Sequence, residues 1–180
     1  MKRHFIKNIG KYKMLNRIKE KRSFKTESVG ITIESWVSFF ERNRVETEVD
    51  YQREYVWKKD QQQLFLNSII SGLPLGYISV VKDKSAFVYE IVDGKQRLTT
   101  LRKFVENEIS VEINGEEVFY KDLNMAERNM FESCDLPMVR LIDPTKLDKL
   151  NYFMMINFGG VAQSEEHKKK LESMILEEIK

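Results

Sequence analysis

This chain has one cysteine and two histidines. Cys134 alone excludes an internal disulfide, and its place before Leu136-Pro137-Met138 fits a structural thiol. His4 and His167 stand apart from each other and from that thiol, so no tetrahedral zinc centre is expected. No run of 18 apolar residues occurs, so no membrane-spanning helix is expected. The N-terminus lacks the apolar centre of a secretory signal. Acidic residues nowhere gather densely enough for a two-metal nuclease centre. Repeats and low-complexity tracts are also missing.

What is there describes one globular domain. Its 180 residues are 42% hydrophobic and 32% charged, enough for a sizeable core. The net charge of +2 conceals an uneven distribution. Residues 1–28 carry ten Lys or Arg against Glu20 and Glu27, and the remainder, 29–180, is acidic. That basic arm holds Lys2, Arg3, Lys7, Lys11, Lys13 and Arg17, with Phe5, Ile9, Tyr12, Leu15 and Ile18 at near-helical spacing. It reads either as a nucleic-acid contact or as an amphipathic helix packed on the body.

Two polar motifs punctuate the body. Asp93-Gly94-Lys95-Gln96-Arg97 follows the strand-like Tyr89-Glu90-Ile91-Val92. It leads into Leu98, Leu101, Phe104 and Val105 at helical spacing. A helix beginning there presents free backbone N–H groups to an anion such as phosphate. Gly94 permits close approach, Arg97 offers a two-pronged fork, and Asp93 is an oxygen ligand of the kind Mg²⁺ uses. Equally, Asp93 reads as an N-cap with Gln96 reaching back. The second motif, Tyr51-Gln52-Arg53 with Trp57 after it, ends a strand predicted over 45–49.

The remaining pattern predicts helices over 33–43, 60–71, 125–133, 145–156 and 164–180, capped by residues such as Thr32 and Asp60. Strands are predicted over 77–81, 87–92 and 136–142. Asn114-Gly115 between Ile109–Ile113 and Val118–Tyr120 predicts a hairpin with a type I′ turn. Asn157, before Gly159-Gly160, is either a site residue or a helix C-cap.

The ordered series Tyr51-Gln52-Arg53, Trp57, an amphipathic helix, Gly72-Leu73-Pro74, a strand, then Asp93-Gly94-Lys95-Gln96-Arg97-Leu98-Thr99-Thr100 resembles one family. It is the ParB-like domain in the N-terminal half of GmrSD-type restriction enzymes, and the resemblance spans roughly Ile31 to Glu166. The resemblance implies an α+β fold of ParB/sulfiredoxin type, a mixed sheet flanked by helices. It also implies a nucleoside-triphosphate site, often hydrolytic, in the cytoplasm of a bacterial or phage-infected cell. On that reading Asp93, Gln96 and Arg97 are the catalytic candidates, with Asp93 also holding Mg²⁺. Tyr51, Gln52, Arg53, Gly94, Lys95 and Asn157 are the nucleotide-binding candidates. Lys95 stands where the family usually has Gln, and where sulfiredoxins carry a reactive Cys, which argues against sulfiredoxin chemistry. The larger family members add a His-containing nuclease domain that these 180 residues do not hold, so DNA cleavage in cis is not expected, and a separate nuclease partner or an independent life in a phage or mobile element are the alternatives. The competing reading is a non-enzymatic DNA- or protein-binding regulator that retains the pocket.

Overall fold

The computed structural model describes residues 24–82, 87–158 and 165–179. The arm residues Lys2, Arg3, Lys7, Lys11, Lys13 and Arg17 lie outside them. In chain order the described elements are β1 (Thr26–Val29), α1 (Ile33–Glu41), β2 (Val45–Glu46), α2 (Lys59–Ile70), β3 (Ile78–Lys82), β4 (Tyr89–Asp93) and α3 (Lys95–Val105). Then come β5 (Val111–Ile113), β6 (Glu116–Val118), α4 (Met125–Glu132), β7 (Met138–Leu141), α5 (Lys146–Phe158) and α6 (Glu165–Ile179). The fold is α+β, with a five-stranded mixed sheet in the order β1-β7-β3-β4-β2 and helices on both faces.

Strand alternation sorts those helices into layers. Successive side chains of a strand point to opposite faces. Thus Ile91 of β4 joins the larger core, with Trp36 of α1, Leu66 of α2, Leu98 and Phe104 of α3, and Phe131 of α4. Its neighbour Val92 joins a smaller core with Tyr51, Leu150 and Phe153 of α5, and Leu171 of α6. Helices α1 to α4 therefore cover one face and α5–α6 the other. Trp36 fixes its layer further by donating from Nε1 to the Leu136 carbonyl at 2.8 Å.

The pairing places the site. β2 runs parallel to β4, with Val45 opposite Tyr89 and Glu46 opposite Glu90. Parallel neighbours end at the same edge, so the segment after β2 emerges beside the Asp93–Gly94 turn. The carboxyl ends of such strands commonly carry ligand sites.

Several predicted bounds shift. The strand expected over 45–49 pairs only at Val45–Glu46, and the chain then turns, with the Gln52 N–H donating to the Val49 carbonyl. β1 was not anticipated. Its Thr26 to Ser28, counted with the basic arm on sequence, pair antiparallel with β7. The Asn-Gly hairpin forms as expected, with Asn114 at φ 54° and Gly115 at φ 85°, the two positive values a type I′ turn requires. Asn157 lies inside α5 and does not cap its end. Gly159-Gly160 fall outside the described residues.

Candidate functional site

The turn between β4 and α3 has one backbone solution. Gly94, not Asp93, is the N-cap of α3, at φ 101°, and no side chain caps the helix. A Cβ at Gly94 would stand 2.4 Å from Ile78 Cδ1 and 3.3 Å from Arg97 Nη2. Leu98 N–H makes the first intrahelical bond, to the Gly94 carbonyl. The N–H groups of Lys95, Gln96 and Arg97 precede it at the positive end of the helix dipole, with no acidic side chain in the first turn. The capping-box reading of Asp93 and Gln96 is thereby overturned.

Over this helix start opens a cleft of about 180 Å³, lined by Gln52, Arg53, Trp57, Asp93, Gly94, Lys95, Gln96, Arg97, Phe153 and Asn157. Two motifs some forty residues apart in sequence thus meet at one place. One wall comes from α3 and the other from α5, so the cleft lies at the sheet edge between the two helical layers. Phe153 was not anticipated from sequence. Its signal was its spacing of four from Asn157, which puts both on one side of α5.

The lining side chains are engaged very differently. The Gln96 carboxamide oxygen accepts from the N–H groups of Val56 at 2.9 Å and Trp57 at 3.2 Å, and its Nε2 donates to the Glu54 carbonyl at 3.0 Å. It clasps the 54–57 segment to α3. Tyr55 adds a second tie, its hydroxyl 2.9 Å from Thr100 Oγ1. Arg97 donates from Nη1 to the Leu75 carbonyl at 2.6 Å and from Nη2 to the Tyr77 carbonyl at 2.8 Å, and lies 3.3 Å from Asp93 Oδ2. Burial pushes the Arg97 guanidinium below its ordinary pKa, and the Asp93 carboxylate opposes that. Lys95 is 5% exposed, with its ammonium 2.9 Å from Glu48 Oε2. Glu48 had not been singled out, because nothing in sequence pairs it with a lysine on another element.

The remaining candidates stand otherwise. Tyr51 does not line the cleft. It is 2% exposed in the smaller core, edge-on to Phe153, with its hydroxyl donating to Glu90 at 2.7 Å. Burial, reinforced by Glu90, pushes its hydroxyl far above the ordinary tyrosine pKa. Gln52 is buried and donates from Nε2 to the Ile91 carbonyl at 2.6 Å. Arg53 is exposed and forms no ion pair among the described residues. Trp57 both lines the cleft and packs on Phe65, ring centroids 5.7 Å apart. Asn157 donates to the Phe153 carbonyl at 2.9 Å.

Among the described residues no group of three His, Cys, Asp or Glu is placed to hold a metal. Mg²⁺ needs less, since one carboxylate with substrate phosphates and water can complete its shell. Asp93, about a quarter exposed beside the uncapped helix, fits that single-carboxylate role. No described helix is long and apolar enough to cross a membrane.

Comparison with curated proteins finds no match. Among solved structures, the chain is similar to the C-terminally truncated chromosome-partitioning protein ParB from Caulobacter crescentus, solved with CTP-gamma-S. The identity is 14%, the TM-score 0.45, and the match covers 85% of this chain and 64% of that one. A family model, that of the GmrSD restriction endonuclease N-terminal domain, matches residues 33–177. The chain therefore belongs to the family of GmrSD restriction endonuclease N-terminal domains.

Proposed function

We propose that the cleft binds a nucleoside triphosphate with Mg²⁺, its phosphates seated on the N-terminus of α3. The observation that carries this reading is the convergence of the two motifs on an uncapped helix start. Backbone N–H groups of Lys95, Gln96 and Arg97 face the anion, and the bare Gly94 lets it approach. Arg53 closes over it from the other motif, its guanidinium in no ion pair among the described residues. Asp93 holds the metal, which when bound neutralises charge on the phosphates. A volume of about 180 Å³ falls below the roughly 300–1,000 Å³ of sites that enclose a whole small molecule. The phosphates and the part of the ligand next to them fill it, and the base extends beyond.

The same geometry favours binding over rapid turnover. Gln96 and Arg97, the catalytic candidates on sequence, are tied to backbone carbonyls and amides. Among the described residues Asp93 is then the one carboxylate lining the cleft that can orient an attacking water. We assign Gln96 and Arg97 the shaping of the site. Arg97 retains donors toward a phosphate, since a guanidinium carries five and three contacts are formed.

Membership in a restriction-endonuclease family supports a role in attack on foreign DNA, with cleavage supplied by a nuclease domain or partner. The basic arm is the proposed DNA contact. The test is heat stability and phosphate release with each of the four ribonucleoside triphosphates, with and without Mg²⁺ and DNA. A ligand at a hundred times its Kd stabilises by about 2.7 kcal/mol. Stabilisation with little phosphate release supports a nucleotide-sensing regulator, and release stimulated by DNA supports an NTPase. No stabilisation at millimolar concentration contradicts both.

A further inference from the structure

Resting on the nucleotide reading, we propose that Gln52 makes the cleft selective for a particular sugar hydroxyl, so that nucleotides bearing that hydroxyl are its class and the matching deoxy forms and bare polyphosphates are not. Gln52 is 7% exposed and lines the cleft. Its Nε2 donates to the Ile91 carbonyl at 2.6 Å. A carbonyl only accepts, so this bond fixes which end of the amide is nitrogen. The other end, Oε1, is buried with no partner among the described residues. A buried amide oxygen without a donor is costly, and folded proteins seldom leave one so.

Gln52 lines the cleft, so a small turn of its carboxamide brings Oε1 to a donor that enters there. Phosphate oxygens only accept, so a polyphosphate on α3 leaves Gln52 unsatisfied. Three donors remain, namely a sugar hydroxyl, a base amino group and a metal-bound water. Placement selects the first. Gln52 bonds to Ile91, two residues before Asp93, so it stands against the strand that ends in the phosphate turn. Arg53, its chain neighbour, faces the phosphates. The group adjoining the phosphates in a nucleotide is the sugar.

The test is calorimetric titration of the full chain, in Mg²⁺, with each of the four ribonucleoside triphosphates, their 2′-deoxy and 3′-deoxy counterparts, and tripolyphosphate. At least one deoxy series should bind roughly tenfold or more weakly than the ribo series, because the deoxy ligand leaves the buried acceptor unpaired. Tripolyphosphate should be weaker still. Gln52→Leu, with its fold checked by thermal melting, should remove the ribo preference. The ligand series in the unaltered protein decides the question even if that variant fails to fold. Ribo and both deoxy forms within twofold of one another would overturn the inference while leaving the nucleotide reading standing. Absence of binding by every compound would remove that reading, and the inference with it.

Discussion

The two segments that build the cleft use their side chains in opposite ways. Along Lys95–Arg97 the side chains turn to the protein. Lys95 pairs with Glu48, Gln96 clasps the 54–57 segment, and Arg97 holds the loop through Leu75 and Tyr77. What that segment offers a ligand is chiefly backbone, the helix N–H groups beside a glycine. Along Gln52–Arg53 the backbone is ordinary and the side chains reach the cleft. A signature rich in phosphate-binding residue types can thus act mainly by shaping the loop. On the proposed reading, the cation that meets the anion comes from the less conspicuous motif.

If that contrast holds, substitutions in the first segment should harm the fold, and those at the exposed Arg53 should harm binding alone. The largest effect is expected at Gly94. Ala there takes a left-handed φ and drives a Cβ into Ile78, itself fully buried. Strain and overpacking together should cost about 2–5 kcal/mol, read from urea unfolding. Arg97→Ala should follow, at about 2–3 kcal/mol, because the carbonyls of Leu75 and Tyr77 lose their donors. Arg97→Lys should restore less than half of that, since one ammonium cannot span both carbonyls. Gln96→Leu should cost about 1–2 kcal/mol and also weaken triphosphate binding, by releasing the segment that presents Arg53. Equal stability of these variants and the unaltered chain would dissolve the contrast.

The smallest effect is expected at Tyr51, which sequence placed at the nucleotide and structure places in the core. Tyr51→Phe should cost about 1 kcal/mol, since Glu90 keeps its pair with Lys149, and should leave ligand affinity unchanged. The hydroxyl also sets a pH dependence. Its folded pKa is raised, so the unfolded chain loses the proton first. The stabilisation is therefore complete below about pH 10, the ordinary tyrosine value, and declines above it. Denaturation midpoints between pH 8 and 11 should fall more steeply for the unaltered protein than for Tyr51→Phe.

Which features were legible in the sequence follows from the range of the interactions behind them. The Asn114-Gly115 turn and the α3 face of Leu98, Leu101 and Phe104 were readable because their causes are local. The convergence of the motifs was expected from the resemblance, and the parallel pairing of β2 with β4 accounts for it physically. β1 was missed because its exposed Thr-Glu-Ser run has no period of its own and exists through pairing with β7. The contacts of Gln96 and Arg97 were illegible for the same reason. Their partners, Val56 and Leu75, lie 40 and 22 residues away in sequence. Tyr51 was misplaced because Gln52, its neighbour, turns to the cleft while its own ring turns to Phe153.

The central claim is that the uncapped start of α3 and Arg53 form one phosphate site. Titration of Mg²⁺-bound triphosphate into the unaltered chain and into Arg53→Ala tests it most directly, alongside urea unfolding of both. The account predicts unfolding free energies within about 0.5 kcal/mol of each other, as for exposed positions, and an affinity reduced roughly tenfold or more in the variant. Unchanged affinity in a stably folded Arg53→Ala would contradict it.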